Sequence, residues 1–243
     1  MIIKVLSYNI HKGFTLFNTR YVLSHIKEAI ESVGAQIVLL QEVGSQKPTE
    51  EQFEFLADNL YPHYSYGKNA VKTNSHHGNA ILSAFPLTWS ENINISNNRF
   101  EKRGLLHAAI SIPKINQELH VFNVHLDLLE TGRNNQIAKG ILRSENHVPQ
   151  NAPLIFGGDF NDWQEKITET LEKKMHLHEA HFKIKGAHAK TFPSAFPTLA
   201  LDRLYFRNLK IKKATAMTGT PWSDLSDHLA LYAEFEIDPK PAP

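Results

Sequence analysis

A short apolar run that ends in two glycines and then in polar residues is the feature that most constrains this sequence. It reads Leu154-Ile155-Phe156-Gly157-Gly158-Asp159-Phe160-Asn161-Asp162. A bounded run of this length is typical of a buried parallel strand, and the two glycines allow close packing or a positive φ where the chain leaves the sheet. Asp159 and Asn161 then lie just past the carboxyl end of the strand, where open α/β sheets bind ligands. The alternative is a turn with an Asp or Asn helix cap.

The rest of the chain alternates between strand and helix patterns. Residues 2–8 form an apolar strand pattern, residues 21–33 have helical spacing that ends at Gly34, and residues 36–40 form a second buried strand. Strand, helix and strand of these lengths predict a βαβ unit. Short strands separated by Gly, Pro and Asn are expected between residues 64 and 125. We predict further helices over 53–60, 131–147 and 163–174, and further strands over 201–206, 209–216 and 229–235.

Composition restricts the class of protein and the kind of metal site. The chain has 243 residues, which suits one α/β domain over residues 1–237 followed by a disordered tail, residues 238–243. It has no cysteine, so any metal must be held by oxygen or imidazole ligands. The sequence has no membrane-span pattern and no signal-peptide layout, so we expect a cytoplasmic protein, and a monomer. A net charge of +1 and a pI near 8.0 give no strong nucleic-acid signature.

Polar side chains recur at the ends or starts of the apolar strands. Each of them taken alone has a structural explanation, such as a surface carboxylate, a hydrogen-bonded core histidine or a turn with an Asx cap. Together, polar groups at one edge of a sheet are costly to bury unless they pair or bind a ligand. Carboxylate and amide oxygens suit Mg²⁺ or Mn²⁺, and with imidazoles around such an ion they suit hydrolysis of a phosphate ester. The positions are Asn9, Glu42, Asn123 with His125, Asp159 with Asn161, Asp202, and Asp227 with His228.

These segments, in this order, resemble the endonuclease/exonuclease/phosphatase superfamily, whose fold is similar to that of deoxyribonuclease I. The matching motifs are Ser7-Tyr8-Asn9-Ile10, Leu40-Gln41-Glu42-Val43, Asn123-Val124-His125-Leu126, Gly158-Asp159-Phe160-Asn161, Leu201-Asp202-Arg203-Leu204 and Ser226-Asp227-His228. Three further stretches resemble a bacterial YbhP-like branch: Asn9-Ile10-His11-Lys12-Gly13-Phe14, Glu101-Lys102-Arg103-Gly104 and Thr191-Phe192-Pro193. The resemblance implies a four-layer α/β/β/α sandwich, in which two packed mixed β-sheets are flanked by helices.

The resemblance also implies a role for each carboxylate and amide. Glu42 is expected to be the main ligand of the metal, with Asn9 and Asp227 beside it. Asp159 is expected to accept the proton of the attacking water, and Asn161 to orient that water or the phosphate. These roles place one carboxylate as the base and the others around a cation.

The histidines have implied roles in the same scheme. His228, held by Asp202, is expected to stabilise the developing charge of the phosphate as an imidazolium. Asp202 would raise the pKa of His228 and fix its tautomer. His125 is expected to contact the phosphate or to assist the leaving group, and Asn123 is expected to support His125 and to contribute to phosphate binding.

Other residues are weaker candidates for contact with the substrate. Arg103 precedes a strand and could hold a phosphate oxygen bidentately, or it is a surface arginine. His11 and Lys12 follow Asn9 in the same loop and could line the pocket. Phe192, Phe196 and Trp163 shape the pocket or pack in the core or rim, and His176, His178, His181 and His188 are expected to be solvated.

The substrate class is less constrained than the reaction. Lysine and arginine are scattered, whereas a nuclease for duplex DNA needs a basic surface along the backbone. Only Asp202-Arg203 is shared with the corresponding motif of inositol-polyphosphate phosphatases, and membrane-inserting apolar segments like those of sphingomyelinase-like members are not found. The first hypothesis is therefore an Mg²⁺- or Mn²⁺-dependent phosphoesterase that hydrolyses a phosphodiester. Its substrate would be a small phosphodiester, a nucleotide, a nucleic acid or a lipid head group. The alternatives are a phosphomonoester, inositol phosphate or phospholipid head group as substrate, or a catalytically silent module that binds phosphate or nucleic acid.

Overall fold

The computed structural model describes residues 1–45, 51–72, 75–98, 101–113, 115 and 117–238. Its strands are β1 (Ile2–Asn9), β2 (Ile37–Ser45), β3 (His63–Lys72), β4 (Ser75–Ser83), β5 (Leu87–Asn94), β6 (Gly104–Ser111), β7 (Glu118–His125), β8 (Leu154–Asp159), β9 (His178–Glu179), β10 (Asp202–Arg207), β11 (Lys210–Ala216) and β12 (Leu231–Glu236). Its helices are α1 (Leu23–Val33), α2 (Gln52–Ala57), α3 (Glu130–His147), α4 (Ile167–Met175), α5 (Ala180–Lys185) and α6 (Trp222–Leu225), with a short 3-10 helix over His11–Gly13.

The strands form two mixed sheets of six strands each. The first sheet has the order β11-β12-β1-β2-β4-β3, and the second has the order β5-β6-β7-β8-β10-β9. β1 pairs with β2 in parallel and with β12 antiparallel, so both ends of the chain contribute to the centre of the first sheet. In the second sheet, β7 and β8 are the corresponding parallel pair.

Three hydrophobic clusters hold the layers together. One lies between the two sheets and joins Val5 and Leu39 of the first sheet to Val121 and Ile155 of the second. The other two cover the outer faces, with α1 and α2 on the first sheet and α3 and α4 on the second. The order of layers is therefore helix, sheet, sheet and helix, and the predicted four-layer α/β/β/α sandwich is confirmed.

One edge of the sandwich collects the polar residues that the sequence singles out. β1, β2, β7 and β8 end at this edge, and β10 and β12 begin there, because they run antiparallel to β8 and β1. The edges of the two sheets coincide, since Asn9 at the end of β1 donates a hydrogen bond to Asp159 at the end of β8. We refer to this side of the molecule, formed by the loops at these strand ends, as the polar edge.

The two glycines of β8 make the close approach that the sequence predicts. Gly158 has a φ of +138°, and a Cβ atom there would lie 2.0 Å from the carbonyl oxygen of Val124 in β7. A Cβ atom on Gly157 would lie 2.6 Å from Leu39 Cδ1 of the facing sheet. Both positions therefore exclude a larger residue. Asp159 follows them at the end of β8, where the two sheets meet.

Some boundaries differ from the prediction for local reasons. The helix expected from residue 163 begins at Ile167, whose backbone N–H donates to Asp162 Oδ2 over 2.8 Å, so the intervening residues form a turn. The short elements α5, α6 and β9 have no clear periodicity and were not predicted. The expectation that His188 is solvated is wrong, because its ring is buried and lies 3.1 Å from Glu179 Oε2.

Of the predicted disordered tail, residues 239–243 lie outside the described residues, and Asp238 lies 2.7 Å from Lys210 Nζ. No helix within the described ranges combines the length and hydrophobicity that crossing a bilayer requires.

Candidate active site

The carboxylate of Asp159 is the point at which the polar residues converge. Its Oδ2 accepts a hydrogen bond from Asn9 Nδ2 over 3.1 Å. The same oxygen lies 3.5 Å from His125 Nε2 and 3.8 Å from His228 Nε2. All four side chains are buried. Three of them end the strands β1, β7 and β8, and the fourth, His228, lies in the loop before β12. The fold therefore brings together four groups that are separated by up to 219 positions in the chain, from residue 9 to residue 228.

Asp202 and His228 form a direct hydrogen-bonded pair. His228 Nδ1 lies 2.8 Å from Asp202 Oδ2, which also accepts a hydrogen bond from the hydroxyl of Thr191. Asp202 is placed by strand pairing, since it lies opposite Asp159 in the β8–β10 register. The pairing leaves Nε2 of His228 as the ring nitrogen that faces Asp159, so the ring's two nitrogens have distinct surroundings.

Burial and neighbouring charges separate the pKa values of these groups. Burial raises the pKa of Asp159 to about 7, against the opposing effect of His228. Burial alone would lower the pKa of His228, but the negative charges of Asp202 and Asp159 outweigh it and raise the pKa to about 10. Burial and the positive charge of Arg103 hold the pKa of His125 well below its usual range. Near neutral pH, His228 is therefore an imidazolium, His125 is neutral and Asp159 titrates.

Asn161 is held rigidly beside Asp159. It has a φ of +49°, and its backbone N–H donates to Asp159 Oδ1 over 3.0 Å. Its Nδ2 donates to the carbonyl oxygen of Leu126 in the loop after β7, also over 3.0 Å. Asn161 therefore fixes the orientation of the Asp159 carboxylate and ties the ends of β7 and β8 together.

The three predicted metal ligands lie on the first sheet's side of the polar edge. Asn9 ends β1, and Glu42 has a φ of +52° where the pairing of β2 with β4 shifts register. Asp227 is positioned through its neighbour Ser226, whose hydroxyl donates to the backbone oxygen of Asn9 over 2.7 Å. The irregularity in the β2–β4 pairing therefore places Glu42 near the end of β1, and the turn that contains Ser226 places Asp227 there.

Two basic side chains lie against these carboxylates. Lys12 Nζ is 2.8 Å from Glu42 Oε2, and His11 Nδ1 is 3.0 Å from Asp227 Oδ2. Burial would raise the pKa of Glu42, but the neighbouring basic groups of His125, Lys12 and His11 lower it to about 2. The hydrogen bond to Asp227 raises the pKa of His11 above its usual value. The Glu42 carboxylate is thus ionised at neutral pH and attracts positive charge.

The chemistry of this donor set fits a hard divalent cation. Glu42 Oε2 is shielded from solvent and has no hydrogen bond of regular geometry, although Lys12 lies near it. An ionised carboxylate that is shielded from solvent favours the binding of a cation that prefers oxygen ligands. Asn9 and Asp227 add an amide oxygen and a second carboxylate to this set. A second acidic group, Asp159, Asp202 and His228, has ligand atoms within 4.8 Å of one another. It fits a cation less well, because an imidazolium has no free nitrogen lone pair to offer.

Two of the residues expected to contact phosphate differ in their surroundings. Asn123 has no exposed surface, and its Nδ2 donates to the carbonyl oxygens of Leu40 and Ala80 in the facing sheet. Its Oδ1 accepts a hydrogen bond from Gln41 Nε2 over 2.8 Å. Both ends of the amide are therefore used between the sheets, so we correct its expected phosphate contact to a structural role. Asn123 bridges the sheets behind His125.

Arg103 does lie at the polar edge. Its guanidinium pairs with Glu101, with Nε 3.0 Å from Glu101 Oε1. Its positive charge contributes to the low pKa of His125. The side chain is mostly shielded from solvent. Arg103 is thus near the site but already has a carboxylate partner, which a phosphate would have to displace or share.

Comparison with known proteins gives this arrangement its context. The family model described as Endonuclease/Exonuclease/phosphatase family matches residues 6–228. The chain belongs to the endonuclease/exonuclease/phosphatase family. It is 41% identical over 244 aligned positions, covering 96% of each chain, to a protein of Escherichia coli strain K12 named Uncharacterized protein YbhP. Membership of this family indicates a metal-dependent hydrolase of phosphate esters.

Solved structures of this family have the same fold. An endonuclease/exonuclease/phosphatase from Beutenbergia cavernae superposes with a TM-score of 0.80 at 18% identity, covering 97% of this chain and 72% of that one. One from Bacteroides vulgatus has a TM-score of 0.79 at 17% identity, covering 98% and 100%. TDP2 from Caenorhabditis elegans has a TM-score of 0.74 at 21% identity, covering 97% and 74%. At these identities the likeness establishes the fold.

Gln52 at the start of α2 is a supporting residue of this family member that the sequence did not indicate. Its Oε1 accepts from the backbone N–H of Gly44, and its Nε2 donates to the backbone oxygen of Lys12, both over 2.7 Å. Gln52 therefore ties the β2 segment that carries Glu42 to the loop that carries His11 and Lys12. That loop is strained, since His11 and Lys12 both have positive φ values. No sequence pattern marks a glutamine for this role, because its partners are backbone atoms 8 and 40 positions away.

Proposed function

We propose that this protein is a divalent-metal-dependent phosphoesterase that hydrolyses phosphodiesters. The observation that carries the proposal is the position of Asp159 Oδ2 between the neutral His125 and the imidazolium His228. A carboxylate with a pKa of about 7 is well matched to accept a proton near neutral pH. An imidazolium close to it supplies positive charge where a phosphate in its transition state gathers negative charge.

Glu42, Asn9 and Asp227 are the residues that would hold Mg²⁺ or Mn²⁺. Such an ion supplies Lewis-acid polarisation of a phosphoryl oxygen and neutralises charge there. Lys12 and His11 occupy positions against two of these carboxylates, so metal binding requires at least Lys12 to move away from Glu42. The exposed half of the Lys12 side chain leaves room for that movement.

The proton transfers assigned to the chain balance the reaction. The oxygen of water forms a bond to phosphorus, and one of its protons passes to Asp159. The bond from phosphorus to the departing ester oxygen breaks, and that oxygen takes a proton from His228. Asp159 then returns its proton to His228, whose Nε2 lies 3.8 Å from Oδ2 of the carboxylate. The products are an alcohol and a phosphomonoester, and both side chains regain their starting states.

Asn161 and His125 complete the arrangement without carrying protons away. Asn161 holds Asp159 in position through its backbone N–H. His125 is neutral, so it can hydrogen-bond a phosphate oxygen, and its low pKa makes it a poor general acid. The Asp159 carboxylate, when ionised, repels a singly charged diester less than it repels a dianionic monoester.

Turnover of bis-p-nitrophenyl phosphate with and without Mn²⁺ tests the proposal. We expect activity that EDTA abolishes and Mn²⁺ or Mg²⁺ restores. Asp159→Asn should lower kcat by about 10²–10⁴, since the amide cannot accept the proton. Asp162→Asn is the matched control, because Asp162 is equally buried but caps the backbone of Ile167.

Two outcomes would contradict the proposal. A wild-type kcat in Asp159→Asn would remove the base and favour a purely structural role for this carboxylate. No turnover of diesters or monoesters by metal-loaded protein, together with binding of phosphate compounds measured by calorimetry, would identify a catalytically silent binding module.

A further inference from the structure

The loop after β1 brings an ammonium group to the metal side of the polar edge. Lys12 Nζ lies 2.8 Å from Glu42 Oε2, and the Lys12 side chain is 46% exposed whereas that of Glu42 is 17% exposed. Glu42 is the one ionic partner that the described residues offer to this ammonium. Because Glu42 is also the residue that would hold a divalent ion, one carboxylate faces two competing cations.

The backbone of Lys12 is firmly held, whereas its side chain has a single ionic contact. His11, Lys12 and Gly13 have positive φ values of +45°, +57° and +83°. Gln52 Nε2 donates to the carbonyl oxygen of Lys12 over 2.7 Å, and the N–H of Gly13 donates to the carbonyl oxygen of Ile10 over the same distance. Strained turns persist only where their surroundings hold them, and they are common at functional sites. The ammonium can therefore leave its carboxylate by rotation of the side chain while the turn stays in place.

His11 in the same turn is held on both sides. Its Nδ1 lies 3.0 Å from Asp227 Oδ2, and its Nε2 lies 2.9 Å from Asn18 Oδ1. Both ring nitrogens therefore have partners. Lys12 instead carries its charge at the end of a flexible four-carbon stem. Of these two basic residues, Lys12 is the one that can exchange its partner.

The contact between Lys12 and Glu42 suits such an exchange. Glu42 Oε2 is shielded from solvent and has no hydrogen bond of regular geometry, so its contact with the ammonium is ionic and weakly oriented. An ion pair with an exposed partner changes an equilibrium constant by only roughly two- to fivefold. A divalent ion has twice the charge and binds carboxylate oxygens directly, and it repels an ammonium on the same carboxylate. The two cations therefore cannot share Glu42.

We propose that Lys12 is an internal counter-ion of the metal site, which exchanges with the divalent ion and then pairs with the phosphate of the substrate. Without metal, its ammonium neutralises Glu42. On metal loading the ammonium leaves this carboxylate and becomes available to an anion at the polar edge, where Lys binds phosphate as a mobile point charge. The chain places it well for that role, because Lys12 closely follows Asn9, whose Nδ2 donates to Asp159 over 3.1 Å. The pairing with substrate rests on the proposed function, whereas the exchange requires only that Glu42 binds the ion.

An exchanging counter-ion predicts effects of opposite sign on metal and on substrate. Lys12→Met keeps an unbranched side chain and removes its charge. Without the competing ammonium, Mn²⁺ binding should tighten by about threefold or more. Without an ammonium beside the phosphate, the KM for bis-p-nitrophenyl phosphate should rise by about threefold or more, and kcat should change less. A residue that only supported the loop would weaken both kinds of binding when it is replaced.

Calorimetric titration of the full chain with Mn²⁺ is the first test. Lys212→Met is the matched control, because Lys212 Nζ also lies 2.8 Å from a carboxylate, Glu236 Oε2, and its side chain is 47% exposed. This pair joins β11 to the end of β12, away from the polar edge. We expect tighter Mn²⁺ binding in Lys12→Met alone. Lys12→Arg keeps the charge and should not tighten binding.

Acylation of lysine amines, followed by mass spectrometry, reports the exchange without any turnover. An amine that has left its ion pair reacts faster than a paired one. Saturating Mn²⁺ should therefore raise the acylation rate of Lys12 by about threefold or more, and EDTA should reverse the increase. The rate at Lys212 should not respond to Mn²⁺.

The outcomes separate this inference from the proposed function. Mn²⁺ affinity in Lys12→Met that equals or falls below that of the wild type, or a Lys12 acylation rate that does not respond to Mn²⁺, would overturn the exchange. Tighter Mn²⁺ binding with an unchanged KM would overturn the pairing with substrate. Tighter Mn²⁺ binding in Lys12→Met, in a protein whose wild type hydrolyses no phosphate ester, would refute the phosphodiesterase and support the exchange.

Discussion

Changing Asp202 to asparagine tests the proton chemistry of the site most directly. The Asp202 carboxylate is the largest of the influences that raise the pKa of His228, and its Oδ2 lies 2.8 Å from Nδ1 of the ring. An opposite charge at such a distance shifts a pKa by roughly 1–3 units, and each unit corresponds to about 1.4 kcal/mol. Asp202→Asn should therefore lower the pKa of His228 by roughly 1–3 units from its value of about 10.

The sign of the stability effect follows from the direction of this shift. Because the pKa of His228 in the folded protein is above its usual value of 6.5, the pair stabilises the fold fully below pH 6.5. That contribution is lost as pH rises through about 10. Asp202→Asn should lower the free energy of unfolding by about 1–4 kcal/mol at pH 6, and the difference from the wild type should shrink at alkaline pH.

Nitrogen NMR of the His228 ring in metal-free protein measures the pKa itself, so no bound ion contributes to the result. With metal restored, the alkaline limb of the kcat/KM profile should move to lower pH by a similar amount. Asp162→Asn makes the same chemical change at another buried aspartate and should leave the His228 titration unchanged. An unchanged His228 pKa in Asp202→Asn would refute the assignment of Asp202 as the residue that keeps the ring protonated.

Three further predictions follow from the structure. Glu42→Gln should lower the Mn²⁺ affinity measured by calorimetry by more than about hundredfold, whereas Glu54→Gln on the exposed face of α2 should not, and equal affinities in the two variants would exclude Glu42 as a ligand. Gln52→Leu should weaken Mn²⁺ binding by about tenfold, because the loop that carries Lys12 is no longer linked to Gly44. Gln36→Leu is the control, since it removes a comparable hydrogen bond to Lys4 far from the site. Equal losses of Mn²⁺ affinity in the two variants would show that Gln52 contributes only to general stability. Cleavage of plasmid DNA should be poor and should depend weakly on salt, because lysine and arginine are scattered; efficient cutting with a steep salt dependence would show that duplex DNA is held through its backbone.

The sequence by itself determined the architecture and the identity of most polar groups at the site. The run from Leu154 to Asp159 formed the predicted buried strand. Glycine is required at positions 157 and 158 because a Cβ atom at either one would clash with a neighbouring strand. Strand ends could be predicted because hydrophobic runs stop where the chain leaves the core, and the parallel pairs bring those ends to one edge. The absence of cysteine fixed in advance which atoms could hold a metal.

Only the tertiary structure decided how these groups share their protons and partners. No sequence pattern distinguishes Asn123 from Asn9. The amide of Asn123 makes its hydrogen bonds between the two sheets, whereas the amide of Asn9 donates to Asp159. The pKa values of Asp159 and His228 depend on burial and on charges from other strands, which are properties of through-space distance. The exposure of Phe17 and Leu129 also depends on the tertiary structure, because their loops turn outward at the polar edge. Local residue preference specifies strands and turns, but long-range packing determines which side chains meet and which face solvent.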